Sequence, residues 1–173
     1  SGPQVIEGWH GVAYDRPLAR TRELIDICRR TWRREVLVND GVYRLPLPPE
    51  EGTGLGKPLK LLTHPVRDRI PIYVAANGPK ACEATGEYGD GWVTVGRDPA
   101  DNQSKMQSIQ TGARRAGRTV GAKFLTSLLT GGCVLRPGEK LTHERVINET
   151  GSWVTCELHF LYEIWKQLGE KDE

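Results

Sequence analysis

The residues best suited to chemistry are Ala75-Ala76-Asn77-Gly78-Pro79-Lys80. An apolar run, Ile72 to Ala76, stops at Asn-Gly and restarts with a proline where a helix would begin. In parallel α/β sheets, ligands gather at the carboxyl ends of strands, among loops and helix N-termini. The alanines leave room above the strand, Gly78 permits close approach and a positive φ, and Pro79 presets the first helical turn. The amides opening that helix then carry a partial positive charge suited to a phosphate or another anion, and Lys80 adds a formal one. An ordinary βα turn explains the same residues without a ligand, and both readings stand at this point. Val95-Gly96-Arg97-Asp98-Pro99 repeats the arrangement with a glycine, a cation and a capped helix start. Arg97 suits bidentate pairing with phosphate or carboxylate, or else an ion pair with Asp98 or Asp101. Two such strand ends in succession suggest one shared anion site.

Other candidates read as structural. GTGLGKP, Gly52 to Pro58, has the glycines and lysine of a phosphate loop, but a phosphate loop must run from strand into helix, and here Pro58 and a second proline-bounded segment follow. A flexible loop over Pro46–Pro58 is expected. Arg20, Arg22, Arg29, Arg30 and Arg33 share one helical face, yet Glu23 and Asp26 interrupt them and no aromatics interleave, so a solvated face is favoured over a phosphate-binding one. Cys28, Cys82, Cys133 and Cys156 form neither a CxxC metal clip nor a disulfide framework, so reduced core thiols and no metal site are expected.

The elements that must position these residues follow from periodicity. Leu18, Thr21, Ile25, Cys28 and Trp32, widened by Leu24, make the apolar stripe of a helix opening at Asp15-Arg16-Pro17. Asn39-Asp40-Gly41 reads as a hairpin turn. Strand 72–76, helix 80–88, strand 92–95, a helix from Pro99 to about Ala116 and a β-rich run 124–135 alternate as parallel strands with crossover helices do. From Leu141 the chain reads as helix, with Thr142 as N-cap and a break or kink at Gly151. Trp153, Cys156, Phe160, Leu161, Ile164 and Leu168 give it an apolar face suited to packing outside a sheet, or to a partner helix. The class is α/β.

The 173 residues suffice for one domain with a core, expected to span residues 1–173. A net charge of +2 gives no footprint for nucleic acid, and no apolar run approaches the ~20 residues of a membrane span. No signal-peptide pattern opens the chain, and a cytoplasmic protein is expected. The start SGPQVIEGWHG, without methionine, reads as the interior of a longer protein.

Together, SGPQVIEGWHGVAYDRPLARTRELIDICRRTWR, DGVYRLP, GTGLGKPLKL and RIPIYVAANGPKACEATGEYGDGWVTV resemble the luciferase-like monooxygenase superfamily, specifically its subgroup using the deazaflavin coenzyme F420. The resemblance covers Ser1 to Gly117 and continues through ETGSWVTCELHFLYEIW. It implies a (β/α)8 TIM barrel with a flavin or deazaflavin at the carboxyl face. It also implies that Ala76, Asn77, Gly78 and Pro79 bind the phosphate-bearing tail, that Gly96 and Arg97 line cofactor or substrate, and that Ser1 and Gly2 are a cofactor-contacting end of the fourth strand. Glu7 and His10 follow that end, where structural roles are favoured over proton handling because no base partner is visible. A complete barrel takes ~250 residues, so an incomplete one is expected, lacking its first strands, a proton-handling histidine and the last strand. Its open edges and part of its interior would face solvent or another chain. The implied activity is hydride transfer between F420 and a small organic substrate, with an FMN-dependent monooxygenase or an inert interaction module as alternatives. A homodimer is the implied assembly, and the catalytic residues stay unassigned.

Overall fold

The computed structural model describes residues 2–96 and 98–167, without the side chains of Ile164 and Gln167. They fall into two compact units, Ser1–Leu128 and Leu129–Glu173. Among the described residues no helix is long and apolar enough to cross a membrane.

The first unit runs α1 (Pro3–Gly8), α2 (Pro17–Trp32), β1 (Asn39–Asp40), β2 (Arg44–Leu45), β3 (Tyr73–Ala75), α3 (Pro79–Tyr88), β4 (Gly91–Thr94), α4 (Pro99–Arg115) and β5 (Leu125–Leu128). β3, β4 and β5 form a parallel sheet in that order, aligning Tyr73 with Gly91 and Leu125, and Ala75 with Val93 and Ser127. This is the α/β alternation expected, as part of a TIM-type barrel, and the described strands do not close one. β1 and β2 pair antiparallel. The expected turn lies two residues later, because Asn39 and Asp40 pair with Leu45 and Arg44 and leave residues 41–43 to bend.

Burial alternates along β3, whereas β4 is mostly buried and all four residues of β5 are exposed. Val74 packs with Ile25, Ala84 and Tyr88, and Trp92 with Ala76, Cys82 and Ile109, so this face of the sheet carries the helices. Tyr73, Ala75, Leu125 and Ser127 lie on the other face and are exposed. α3 and α4 touch almost backbone to backbone. A Cβ on Gly86 would lie 1.9 Å from the Ile109 carbonyl oxygen, and one on Gly112 1.9 Å from that of Glu83.

Asp90, one residue before β4, ties the amino ends of the strands together. Its carboxylate accepts from the Ile72 N–H (3.1 Å), from Arg29 (2.9 Å) and from Arg69. Arg29 also donates to the Tyr88 carbonyl at 2.8 Å, an anchoring role that the expected solvated face of α2 did not include. Gly117, at φ +67°, closes α4: its N–H donates to Arg114 O (3.0 Å) and that of Arg118 to Ala113 O (2.8 Å). The turn aims Arg118 at the carbonyls of Gly86 (3.0 Å) and Gly89 (2.7 Å). Burial opposes ionisation of Asp90, but the Ile72 amide and the Arg69 and Arg29 guanidinium groups outweigh it and hold the carboxyl below its ordinary value.

In the second unit, α5 (Glu144–Gln167) runs 24 residues unbroken. Gly151 does not interrupt it: a mid-helix glycine costs only about 1 kcal/mol, which a helix of this length absorbs. The helix opens at Glu144, after a turn over residues 141–142, so Thr142 does not cap it. Trp153 lies against Gly131, and Arg145 pairs with Glu139 and Glu149. Leu168, assigned to the apolar face, lies outside the described residues, as does the side chain of Ile164. The β-rich run 124–135 yields strand only over Leu125–Leu128, since Thr130-Gly131-Gly132 follows and, among the described residues, no further strand pairs beyond it. Of the cysteines only Cys82 is a core thiol; Cys28 and Cys133 are half-buried and Cys156 is exposed.

Two outcomes are expected in urea denaturation. Gly86→Ala or Gly112→Ala should each cost about 1–3 kcal/mol by overpacking the helix contact. Asp90→Asn should cost about 3 kcal/mol by leaving arginines uncompensated. Because the folded carboxyl titrates below its unfolded value, its contribution is complete above that value and is lost as pH falls through the folded one. The gap between wild type and Asp90→Asn should therefore narrow in acid, and an unchanged gap contradicts the assignment.

Candidate functional site

β3 ends where its chemistry was expected. Ala76 is buried, and its carbonyl oxygen accepts from the Trp92 indole N–H at 2.8 Å in the core. The Cys82 thiol lies 3.8 Å from the same oxygen, its pKa raised by burial. With that peptide group fixed inward, Asn77, Gly78, Pro79 and Lys80 emerge exposed. Gly78 is the N-cap of α3 and Pro79 opens it, with no side chain capping the helix and no acidic residue in its first turn. A Cβ on Gly78 would meet nothing within 4 Å. Its φ is −78°, so the positive φ expected there is not used; the proline that follows holds it extended. The amides of Lys80 and Ala81, in the first turn, have no intrahelical acceptor, and the space beside Gly78 is open. This arrangement fits a phosphate.

The second strand end is built differently. Asp98 caps α4 with its own carboxylate, accepting from the Ala100 N–H at 3.0 Å, and Asp101 sits in the first turn paired with Lys105 at 2.7 Å. The Gly96 N–H donates to Thr94 Oγ1 (3.0 Å) and its carbonyl accepts from Asn102 (2.8 Å). A Cβ on Gly96 would lie 3.3 Å from an Asp101 carboxylate oxygen. With two carboxylates and occupied amides, this opening does not fit an anion bound through the backbone. Ser1 and Arg97 lie outside the described residues.

Gly2 is extended (φ −82°, ψ −179°) and caps α1. Glu7 accepts from the Tyr14 N–H at 3.1 Å, the structural role favoured for it. His10 makes no side-chain contact of this kind, but it lines a cleft of about 750 Å3 that reaches Ala75 and Ala81. Sequence reasoning did not identify that cleft. Gly52 to Pro58 is irregular and follows a short 3-10 turn, Pro49–Glu51, with no helix after it, as expected of a loop.

The chain belongs to the luciferase-like monooxygenase family, whose profile matches residues 1–150. A Mycobacterium tuberculosis protein named as a coenzyme F420-dependent oxidoreductase is 52% identical over 119 residues, covering 68% of this chain and 34% of that one. A 5,10-methylenetetrahydromethanopterin reductase of Archaeoglobus fulgidus is 30% identical over 111 residues, covering 63% and 29%. Among solved structures, an F420-dependent secondary alcohol dehydrogenase in complex with an F420-acetone adduct matches with a TM-score of 0.54 at 23% identity, covering 70% of this chain and 34% of that chain, a likeness of fold alone. The chain spans about a third of the length of the curated relatives it matches.

Trp92→Phe keeps an aromatic side chain but removes the donor together with the second ring of the indole. It should leave the Ala76 carbonyl buried without a partner, open a cavity in the core and cost about 3 kcal/mol in thermal or urea unfolding. Asp98→Ala, which removes only the α4 cap, should cost about 1 kcal/mol. Equal losses for both would contradict the core position of the indole bond.

Proposed function

We propose that this chain supplies the phosphate-gripping side of a cytoplasmic oxidoreductase that passes a hydride between coenzyme F420 and a small organic alcohol or carbonyl compound. The observation that carries the reading is the uncapped opening of α3, with free amides at Lys80 and Ala81 beside an empty space at Gly78. Ala76 orients the turn, Asn77 and Gly78 border the anion, and Pro79 and Lys80 complete the grip. Gly96 follows β4 at the same end of the sheet, and Ser1, Gly2 and Arg97 join the proposed set. When bound, the deazaflavin supplies the hydride chemistry, and the chain supplies position and electrostatics. The names of the relatives favour F420 over FMN. A phosphate grip alone serves either cofactor, and FMN remains the alternative.

Gly78→Asp tests this with opposite signs on stability and binding. Aspartate is a better N-cap than glycine by a few tenths of a kcal/mol, so the variant should be at least as stable as wild type. Its carboxylate would occupy the amides and repel phosphate, weakening F420 binding at least tenfold in a fluorescence titration. Gly78→Asn, capping without charge, should fall between. Undiminished F420 binding by Gly78→Asp contradicts the site, and tight FMN binding with none of F420 contradicts the cofactor.

A further inference from the structure

Glu23, which in the sequence only interrupts the arginines of α2, holds a segment that burial does not. The antiparallel pair β1–β2 has two residues in each strand and does not join the parallel sheet, and none of residues 39–45 is buried. A two-stranded hairpin on its own is marginal in water. The bonds that tie its turn to α2 converge on one carboxylate. Glu23 Oε1 accepts from the Val42 N–H at 2.9 Å, and Oε2 accepts from the Tyr43 N–H at 3.0 Å and from Asn39 Nδ2 at 3.1 Å. The turn lies so close that a Cβ on Gly41 would overlap this carboxylate. Arg30 pins the entry to the hairpin, donating to the Val38 carbonyl at 3.0 Å. One helical turn before Glu23, the Arg20 guanidinium lies 5.7 Å from the centre of the Tyr43 ring and is itself held by Asp15 (Nε to Oδ1, 3.0 Å). Glu23 thus fixes the main chain of Tyr43, and Arg20 faces its ring. Tyr43 lines the cleft that reaches Ala75 and Ala81, beside the α3 opening.

We propose that the hairpin over residues 39–45 is a lid on this cleft and that the Glu23 carboxylate is its latch. Released from Glu23, the turn pivots about its Val38 anchor and carries Tyr43 out of the cleft wall, which opens the approach to Ala81 and the start of α3. The inference goes beyond the phosphate grip and holds whichever molecule that opening takes. A carboxylate suits the task because both of its oxygens accept and its charge strengthens all three bonds at once. The neutral amide of the same shape offers one acceptor and turns a donor toward an N–H. The charged groups on the elements that meet here are Arg16, Arg20, Arg22 and Asp26 around α2, and Asp40 and Arg44 on the hairpin, with Arg44 paired to Glu51. The Val42 amide foremost, then the Tyr43 amide, Asn39 and Arg16, hold the Glu23 carboxyl below its ordinary value against the opposing effect of burial. The latch is therefore complete above the unfolded value and is lost as pH falls through the folded one.

The experiment is amide hydrogen exchange of the whole nitrogen-15-labelled chain by NMR, with a second sample carrying fluorotyrosine, its Tyr43 signal assigned through Tyr43→Phe. Glu23→Gln should raise exchange at Val42 and Tyr43 about tenfold or more, while the amides of β4 keep their protection. The Tyr43 fluorine resonance should move toward that of free fluorotyrosine. Asn39→Ala, which removes one of the three donors, should give a smaller rise. In the wild type, the Val42 and Tyr43 amide shifts should titrate together, with one midpoint below the ordinary glutamate value, before β4 opens. Unchanged exchange at Val42 and Tyr43 in Glu23→Gln overturns the latch, and an unmoved Tyr43 resonance overturns the lid. If that variant does not fold, the wild-type titration decides, and shifts at Val42 and Tyr43 that stay flat until β4 opens overturn the proposal. No cofactor enters these measurements, so their failure leaves the phosphate grip untouched.

Discussion

One buried hydrogen bond sets the geometry of this end of the molecule: the Trp92 indole N–H donating to the Ala76 carbonyl. A carbonyl so close to the end of a strand would otherwise point to solvent or go unsatisfied in the core, and either outcome would let the following turn drift. With the indole in place, β4 holds the end of β3, and the chain leaves the core at a fixed angle into Asn77-Gly78. Trp92 is itself locked among Cys82, Ile109 and Ala76, between helices that meet at glycines. The close contact of α3 and α4 is therefore a condition for the site as well as for stability.

The two strand ends that look alike in composition have opposite electrostatics. α3 opens with proline, no cap and a lysine, whereas α4 opens with a carboxylate on its own amides and a second acid one turn in. Of these two openings, the first is the one whose electrostatics suit a backbone-bound anion. The proposed anion site is accordingly placed at the first opening, with Gly96 kept in the proposal as a bordering backbone position. At the amino ends of the same strands the charges reverse, with Asp90 taking bonds from Arg29 and Arg69. That network works as an anchor, because its arginines are committed to a buried carboxylate and to main-chain carbonyls.

Much of this was legible in the sequence, for local reasons. Pro17, Pro79 and Pro99 mark three helix starts, and apolar periodicity carries α2 and α5. The family was readable from the order of its segments, and the profile match over residues 1–150 agrees. Most of what was misread depended on partners distant in the chain. Strand ends fall where pairing stops, so β5 is shorter than its β-rich run. Gly78 suggested a positive φ by residue type, but Pro79 fixed the backbone instead. The cleft draws on residues 6 to 24, on Tyr43 and on Ala75 and Ala81, and no periodicity links these segments. Arg29 looked like its neighbours on α2 until Asp90, 61 residues away, singled it out.

The central claim is that the α3 opening, and not the α4 opening, holds a phosphate. Amide chemical-shift mapping of the nitrogen-15-labelled chain during titration with coenzyme F420 addresses it most directly. The account predicts saturable shifts at Gly78, Lys80 and Ala81, with Ala100 and Asn102 nearly unmoved. Shifts centred on Ala100 and Asn102, or none at Lys80 and Ala81 at saturating F420, would contradict it.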